Sequence, residues 1–399
     1  MPLEITFWIL AFVVFYTYLG YGILIWLIVF IKDSFYSKDK REKSPFIAEF
    51  PSVTLLIAAY NEEDVIEDKM NNILSLDYPA DKLNVLWVTD GSTDRTMDKL
   101  GKYTNIKILY EPERKGKTAA INRAVAYVDT PIIIFTDANA ILNVTSIKEI
   151  VSAFTEKSIG CVAGEKRIII DSEDAASSSG EGFYWRYESF LKQLDSCLYS
   201  VVGAAGELYA IRNELFEHIP NDTILDDLVL SLKIAQKGYT ITYCPQAYAI
   251  EYSSDSMKEE EKRKVRIAAG GLQAVWRLRA LLNIVKYRTL SFQYISHRVL
   301  RWTITPIALF VLFPLNIAIY SIASSENIFL YGILLFLQCL FYLSAFTGYL
   351  YSQKEIKHKI FFVPYYFMFM NLNVLKAYNY LLHKGNIGIW EKVKRKSGK

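Results

Sequence analysis

Three apolar, β-branched runs in this sequence stop abruptly on polar residues. "SVTLLIAAY" ends on Tyr60 and leads into Asn61 and Glu62, "LNVLWVTD" ends on Asp90 ahead of Gly91, Ser92 and Asp94, and "PIIIFTD" ends on Asp137 with Asn139 two residues on. Further along, Asp226 and Asp227 begin "LDDLVLSLKIAQKG", and Lys117 stands within "RKGKTAAIN". A carboxylate can accept hydrogen bonds, or take the proton from a hydroxyl that is otherwise a feeble nucleophile at neutral pH. A lysine offers an anion a point charge. Taken singly, each has a plain structural use: Asn61 as a helix cap, "DGSTD" as a turn and cap, Asp137 as a loop residue, Lys117 as a solvated lysine. Asp226 and Asp227 could likewise only cap a helix whose dipole favours negative charge at its start.

The elements around these residues decide whether they meet. The three runs and "NIKILYE" read as strands, with the length and β-branched content of strands buried on both faces. Between them lie helical stretches, one after Asn61 with Val65, Ile66, Lys69, Met70, Ile73 and Leu74 on a single face, another from Lys117 to Val128. Strand and helix in alternation predict a parallel sheet wound by right-handed crossovers, which binds ligands outside the carboxyl ends of its strands. The three polar clusters then share one rim, and a rim so furnished is a site.

The chain has 399 residues, 52 % of them hydrophobic and 15 % aromatic, with the apolar excess at its two ends. Residues 5 to 31 carry no charge and exceed the roughly 20 residues that span a bilayer. The run is too long for a signal peptide, no basic residue precedes it and no small-residue cleavage site follows. Lys32, Lys38, Lys40, Arg41 and Lys43 come after it and only Glu4 before it, so everything beyond residue 32 is expected in the cytoplasm of a multi-pass cell-membrane protein. Further spans are read at about 303 to 322 and 328 to 350, joined by "ASSEN". Between 251 and 302, helical spacings of apolar residues, with His297, Arg298 and Arg301 opposite Phe292, Ile295, Val299 and Trp302, predict helices lying flat among headgroups. Residues 360 to 383 are interrupted by Asn371, Asn373, Lys376 and Asn379 and precede a basic tail, which favours an interfacial or re-entrant segment. A net charge of +3, without basic runs interleaved with aromatics, suits an anionic membrane surface and not nucleic acid. Cys161, Cys197, Cys244 and Cys339 are too scattered for a zinc site and read as reduced structural thiols.

"AAYNEE", "VTDGSTD", "RKGKTAAIN", "FTDANA", "GAAGELYAIR" and "ILDDLVLSLKIAQKGYTITYCPQA" resemble, in this order and spacing, the signature blocks of membrane-embedded family 2 glycosyltransferases: the cellulose, chitin, hyaluronan and poly-N-acetylglucosamine synthases and their non-processive cousins. The resemblance covers about residues 50 to 300. It implies an α/β class chain with a GT-A fold, a Rossmann-like, mostly parallel sheet in a cytoplasmic domain flanked by N- and C-terminal transmembrane helices. It also implies a nucleotide-sugar donor, a UDP-sugar by this likeness, and inversion at the anomeric carbon. Asp137 and Asn139 resemble the family's Asp-x-Asp metal motif for Mg²⁺ or Mn²⁺, with an amide replacing the second carboxylate and leaving more of the coordination to donor phosphates. Asp90 resembles the aspartate that accepts a hydrogen bond from the donor's base and Tyr60 the residue that packs on it, with Glu62 beside them and Lys117 reaching the diphosphate. By the same likeness Asp227 is the base and Asp226 its support. Processive synthases carry Gln-x-x-Arg-Trp where this chain has Arg263, Lys264, Val265, Arg266, Ile267; Arg266 matches the arginine, but glutamine and tryptophan are gone.

The implied acceptor is a saccharide or lipid-linked saccharide for surface polysaccharide. A transferase charging a polyprenyl phosphate, or a nucleotide-binding scaffold without catalysis, are the competing readings. "SHRVLRW" at 296 to 302 resembles a juxtamembrane stretch of this group and reads equally as an interfacial anchor. The division is an N-terminal transmembrane helix (1–31), a linker (32–50), the GT-A domain (51–250), juxtamembrane interfacial helices (251–302), a C-terminal transmembrane and interfacial region (303–383) and a basic cytoplasmic tail (384–399).

Overall fold

The computed structural model describes residues 2–35, 49–169, 177–252, 254, 256–322, 325–353 and 359–383. Most of the linker read at 32–50 and all of the tail read at 384–399 lie outside the described residues. One sheet organises the domain: β1 Val53–Ala59, β2 Leu83–Asp90, β3 Lys107–Glu111, β4 Ile132–Asp137, β5 Ile141–Leu142, β6 Ile159–Ile169, β7 Tyr209–Arg212 and β8 Thr240–Tyr252, in the order β3-β2-β1-β4-β7-β6-β8-β5. The four strands legible in the sequence are the parallel half, β1 pairing with β2 and β4, and β2 with β3.

Period-two alternation explains why these strands are apolar throughout. Leu56, Leu86, Val88 and Phe135 face the helix Lys117–Val125, against Ala120, Ile121 and Ala124. Leu55, Ile57, Val85 and Trp87 face the opposite way, toward Ile66, Met70 and Ile73 of the helix Ile66–Leu74. Beyond β4 the sheet becomes mixed, since β7 runs antiparallel to both β4 and β6, β6 parallel to β8, and β5 antiparallel to β8. The simple wound parallel sheet read from strand–helix alternation therefore holds for one half, and the sheet as a whole is mostly parallel.

Among the described residues, four helices are long and apolar enough to cross a membrane: Pro2–Phe35, Ile304–Ile322, Asn327–Gln353 and Ile360–His383. The first contains a π-helical turn at Tyr16–Gly20. Before that turn Phe7 packs on Leu312 and Ile319; after it Tyr21, Ile25 and Val29 pack on Leu191 and Leu194 of the helix Ser177–Leu198.

The structure corrects two expectations here. The helix Lys359–His383 is continuous and so not re-entrant, and while Lys376 and Asn379 stay exposed, its first two polar interruptions turn into protein: Asn371 is 2 % and Asn373 1 % exposed, and Tyr18 Oη donates to Asn371 Oδ1 at 2.5 Å. It does lie along the charged helix Met257–Arg277, where Val374 and Ala377 meet Ala268 and Ala269, and Lys376 Nζ pairs with Glu261 Oε1 at 2.6 Å. His297, Arg298 and Arg301 do not face headgroups. His297 Nδ1 lies 2.6 Å from Asp195 Oδ2, while Glu188, 2 % exposed, takes Arg298 at 2.7 Å and Arg301 at 2.9 Å. Buried cations need such partners, and the helix Ser177–Leu198 supplies both acids.

Candidate functional site

Register levels the strand ends. Ala59 of β1 pairs with Thr89 of β2, and Ala58 with Asp137 of β4, so the three polar clusters meet at one edge. Asp137 closes β4 and the chain turns at once, Ala140 N donating back to Asp137 O at 3.2 Å, so that both Asp137 and Asn139 stay partly exposed.

Lys117 binds this turn. Gly116, with φ 94°, breaks the strand-to-helix path in a conformation that favours glycine, and Lys117 begins the next helix. Lys117 Nζ donates to Asp137 Oδ1 at 2.6 Å and lies 4.0 Å from Asp226 Oδ1. Burial works against its charge, but Asp137, Asp226 and Asp227 outweigh burial and hold the ammonium above the usual lysine range.

Asp226 and Asp227 open the helix Asp226–Gln236. Asp226 is 6 % exposed, and its Oδ2 has no hydrogen-bond partner among the described residues. Asp227 is half-buried, with Oδ1 accepting from Leu228 N at 2.8 Å. Burial, then the neighbouring Asp226 charge, pushes the Asp227 carboxyl up to about 7 despite Lys117. Burial also raises Asp226, opposed first by Lys117 and, more weakly, by Arg266.

Gly206 shows that these groups share one space. A methyl on Gly206 would lie 3.3 Å from Lys117 Nζ, 3.4 Å from Asp227 Oδ2 and 3.8 Å from Asp137 Oδ2. Neither this glycine nor Tyr209, whose buried ring stacks on Phe135 at 4.6 Å, was singled out in the sequence. "GAAGELYAIR" contains both, yet nothing in its pattern says that Gly206 faces the acids.

The other end of the rim is arranged differently from the sequence reading. Asp90, 4 % exposed, accepts from Lys115 N at 3.0 Å and Gly116 N at 2.7 Å, which ties β2 to the loop that carries Lys117. The Arg114 guanidinium covers the Tyr60 ring at 3.7 Å, on the kind of face a base would use. Glu62 N donates to Thr96 Oγ1 at 2.8 Å. Asn61 does not cap a helix: with φ 52° its Oδ1 accepts from Thr93 N at 2.8 Å, clasping the first two rim loops together.

Among the described residues no group of three His, Cys, Asp or Glu is placed to hold a metal ion. The Asp137 turn offers one carboxylate and one carboxamide oxygen, and Asp226 Oδ2 nearby is an orphaned acceptor. Hard cations of the Mg²⁺ type are commonly held by one or two carboxylates and by substrate phosphates. These residues fit an ion that arrives with a diphosphate.

Residues 54–219 match the glycosyl transferase family 2 model. The probable glycosyltransferase YdaM of Bacillus subtilis is 25 % identical over 266 residues, 61 % of this chain and 61 % of that protein. Poly-beta-1,6-N-acetyl-D-glucosamine synthase of Staphylococcus aureus is 26 % identical over 262 residues, 62 % of this chain and 61 % of the synthase. The chain thus spans about three fifths of the length of these curated relatives. The mannosyltransferase PcManGT of Pyrobaculum calidifontis, solved with GDP-Man and Mn²⁺, superposes with a TM-score of 0.69 at 22 % identity over 96 % of this chain and 99 % of its own, a likeness of fold.

Proposed function

We propose that this chain, whose residues 54–219 form a glycosyl transferase family 2 domain, moves a sugar from a nucleotide-sugar donor to a saccharide or lipid-linked saccharide acceptor at a membrane surface. The observation that carries the reading is the gathering of Asp137, Lys117 and Asp227 around Gly206. In it the acceptor hydroxyl attacks the anomeric carbon and Asp227 Oδ2 takes its proton. The bond from that carbon to the diphosphate oxygen breaks, its electron pair leaving with the nucleotide, and a single displacement of this kind inverts the carbon. A carboxyl poised near neutrality suits a general base, and Asp226 sustains that value by its charge.

Lys117 lies against Asp137 and turns to the leaving diphosphate as a point charge. Asp137 and Asn139 would hold a Mg²⁺ or Mn²⁺ ion, which when bound neutralises charge on the departing phosphate. Tyr60, Glu62 and Asp90 form the nucleoside end, where Arg114 must leave the Tyr60 face if a base is to stack there. Arg266, set near Asp226, is assigned to the diphosphate or acceptor end.

Transfer of one or a few sugars is favoured over long polymerisation. Arg263 stands at the glutamine position of the processive motif and is engaged with Glu260 at 2.8 Å, and Ile267 offers no aromatic face for a sugar. Three apolar helices cross the bilayer in this reading, the domain faces the cytoplasm, and Lys359–His383 rests at the interface beside its charged neighbour.

The test is incubation of the purified chain in detergent with UDP- and GDP-sugars, a saccharide acceptor or a polyprenyl phosphate, and Mn²⁺, Mg²⁺ or EDTA. Cation-dependent release of nucleoside diphosphate, coupled to glycosylation of a saccharide acceptor, is the expected result. Binding without turnover of any donor would favour a scaffold instead.

A further inference from the structure

One residue on the apolar face of the helix Ile66–Leu74 has no place there by hydrophobicity. Lys69 is 0 % exposed, amid Ile66, Met70 and Ile73. An ammonium is expensive to bury, and a methionine or leucine would fill the same volume without that penalty.

The geometry gives it a use. Lys69 Nζ donates to Thr136 Oγ1 at 3.1 Å and to Ala140 O at 2.5 Å, gripping the residue before Asp137 and the residue after Asn139. Thr136 Oγ1 in turn donates to Glu207 O at 2.8 Å, and Glu207 follows the Gly206 that lines the cleft. One turn further along the helix, Asn72 brackets Leu142 on both sides, Nδ2 donating to Leu142 O at 2.7 Å and Oδ1 accepting from Leu142 N at 2.8 Å. A buried clamp thus spans the segment 136–142 from beneath and joins it to the opposite wall of the cleft.

We infer that Lys69 is a positioning residue for the proposed reaction: by fixing both ends of the Asp137–Asn139 turn it sets the two oxygen donors for the cation that accompanies the nucleotide diphosphate. The inference rests on the reading of Asp137 and Asn139 as cation ligands. It concerns groups behind the ligands, which set ligand geometry in metal sites generally.

The test is titration calorimetry of UDP and GDP on the purified chain, with and without Mn²⁺, beside thermal unfolding. Asp137→Asn tests the underlying reading: loss of Mn²⁺-dependent nucleotide binding upholds it, and retention removes it and the inference together. With that loss in hand, Lys69→Met is expected to need about 10- to 100-fold more Mn²⁺ for half-saturation, while nucleotide binding in EDTA stays as in wild type. Thr136→Val should move the Mn²⁺ requirement the same way, and Thr136→Ser should restore it. A wild-type Mn²⁺ requirement in Lys69→Met and Thr136→Val, with only the unfolding temperature lowered, overturns the inference. If Lys69→Met does not fold, the Thr136 pair decides alone.

Discussion

Asp227 is a carboxyl that holds its proton at a pH where an isolated aspartic acid has lost it, through burial and the charge of Asp226. In the proposed role of base it must be ionised, so kcat/KM should rise with pH along a limb centred near 7. Asp226→Asn removes the repelling charge and should shift that limb to lower pH, even as it lowers the rate. The same shift has a consequence for stability. Between about 4 and about 7 the folded chain binds a proton here that the unfolded chain has released, so stability falls as pH rises through that window. Asp227→Asn should flatten that slope, as read by thermal unfolding across pH. Gly206→Ala should fold normally, since space and not backbone conformation is at issue, but its methyl, 3.3 Å from Lys117 Nζ, should depress turnover. Asp137, Asp226, Asp227 and Lys117 were all legible in the sequence, because charge at a strand end or helix start is visible without coordinates. Gly206 was not, since a glycine's importance lies in what approaches it. Nor was the enclosure of Asp90, whose partners are backbone amides that any sequence would offer.

At the scale of elements, the helix Met257–Arg277 positions Asp226 by close packing. A Cβ on Gly270 would stand 2.5 Å from Leu225 Cγ, next to Asp226, and one on Gly271 only 2.3 Å from the Trp302 ring. Gly271→Ala should therefore destabilise the chain by about 1–3 kcal/mol through overpacking. Gly270→Ala should also disturb the start of the Asp226–Gln236 helix and slow transfer more than it lowers the unfolding temperature. The parallel strands β1 to β4 were readable because burial on both faces makes them continuous apolar runs. β5 to β8 were not, for their pairing is mixed and set by contacts distant in sequence. Lys69 was visible as a lysine on an apolar stripe, an inconsistency of pattern that marks a functional demand more often than an accident.

The whole molecule is a GT-A domain joined to apolar helices, and the joint is polar where it is buried. Arg298 and Arg301, together with His297, hold the Glu188 carboxyl well below the usual carboxylate range against its burial. Glu188→Ala would remove the buried carboxylate that Arg298 and Arg301 share and should cost about 3–5 kcal/mol, separating the domain from its apolar helices before the sheet itself unfolds. The apolar spans could be read from length and hydropathy alone. The inward turn of His297, Arg298 and Arg301 could not, because the acids that receive them lie about a hundred residues earlier, on a helix that the sequence pattern did not announce. The central claim is that one cleft binds the donor through the Asp137 turn and activates the acceptor through Asp227. Its most direct test compares Mn²⁺-dependent nucleotide binding with sugar transfer in purified Asp227→Asn: binding should match wild type while transfer is abolished. Transfer at the wild-type rate, or loss of binding together with transfer, would contradict it.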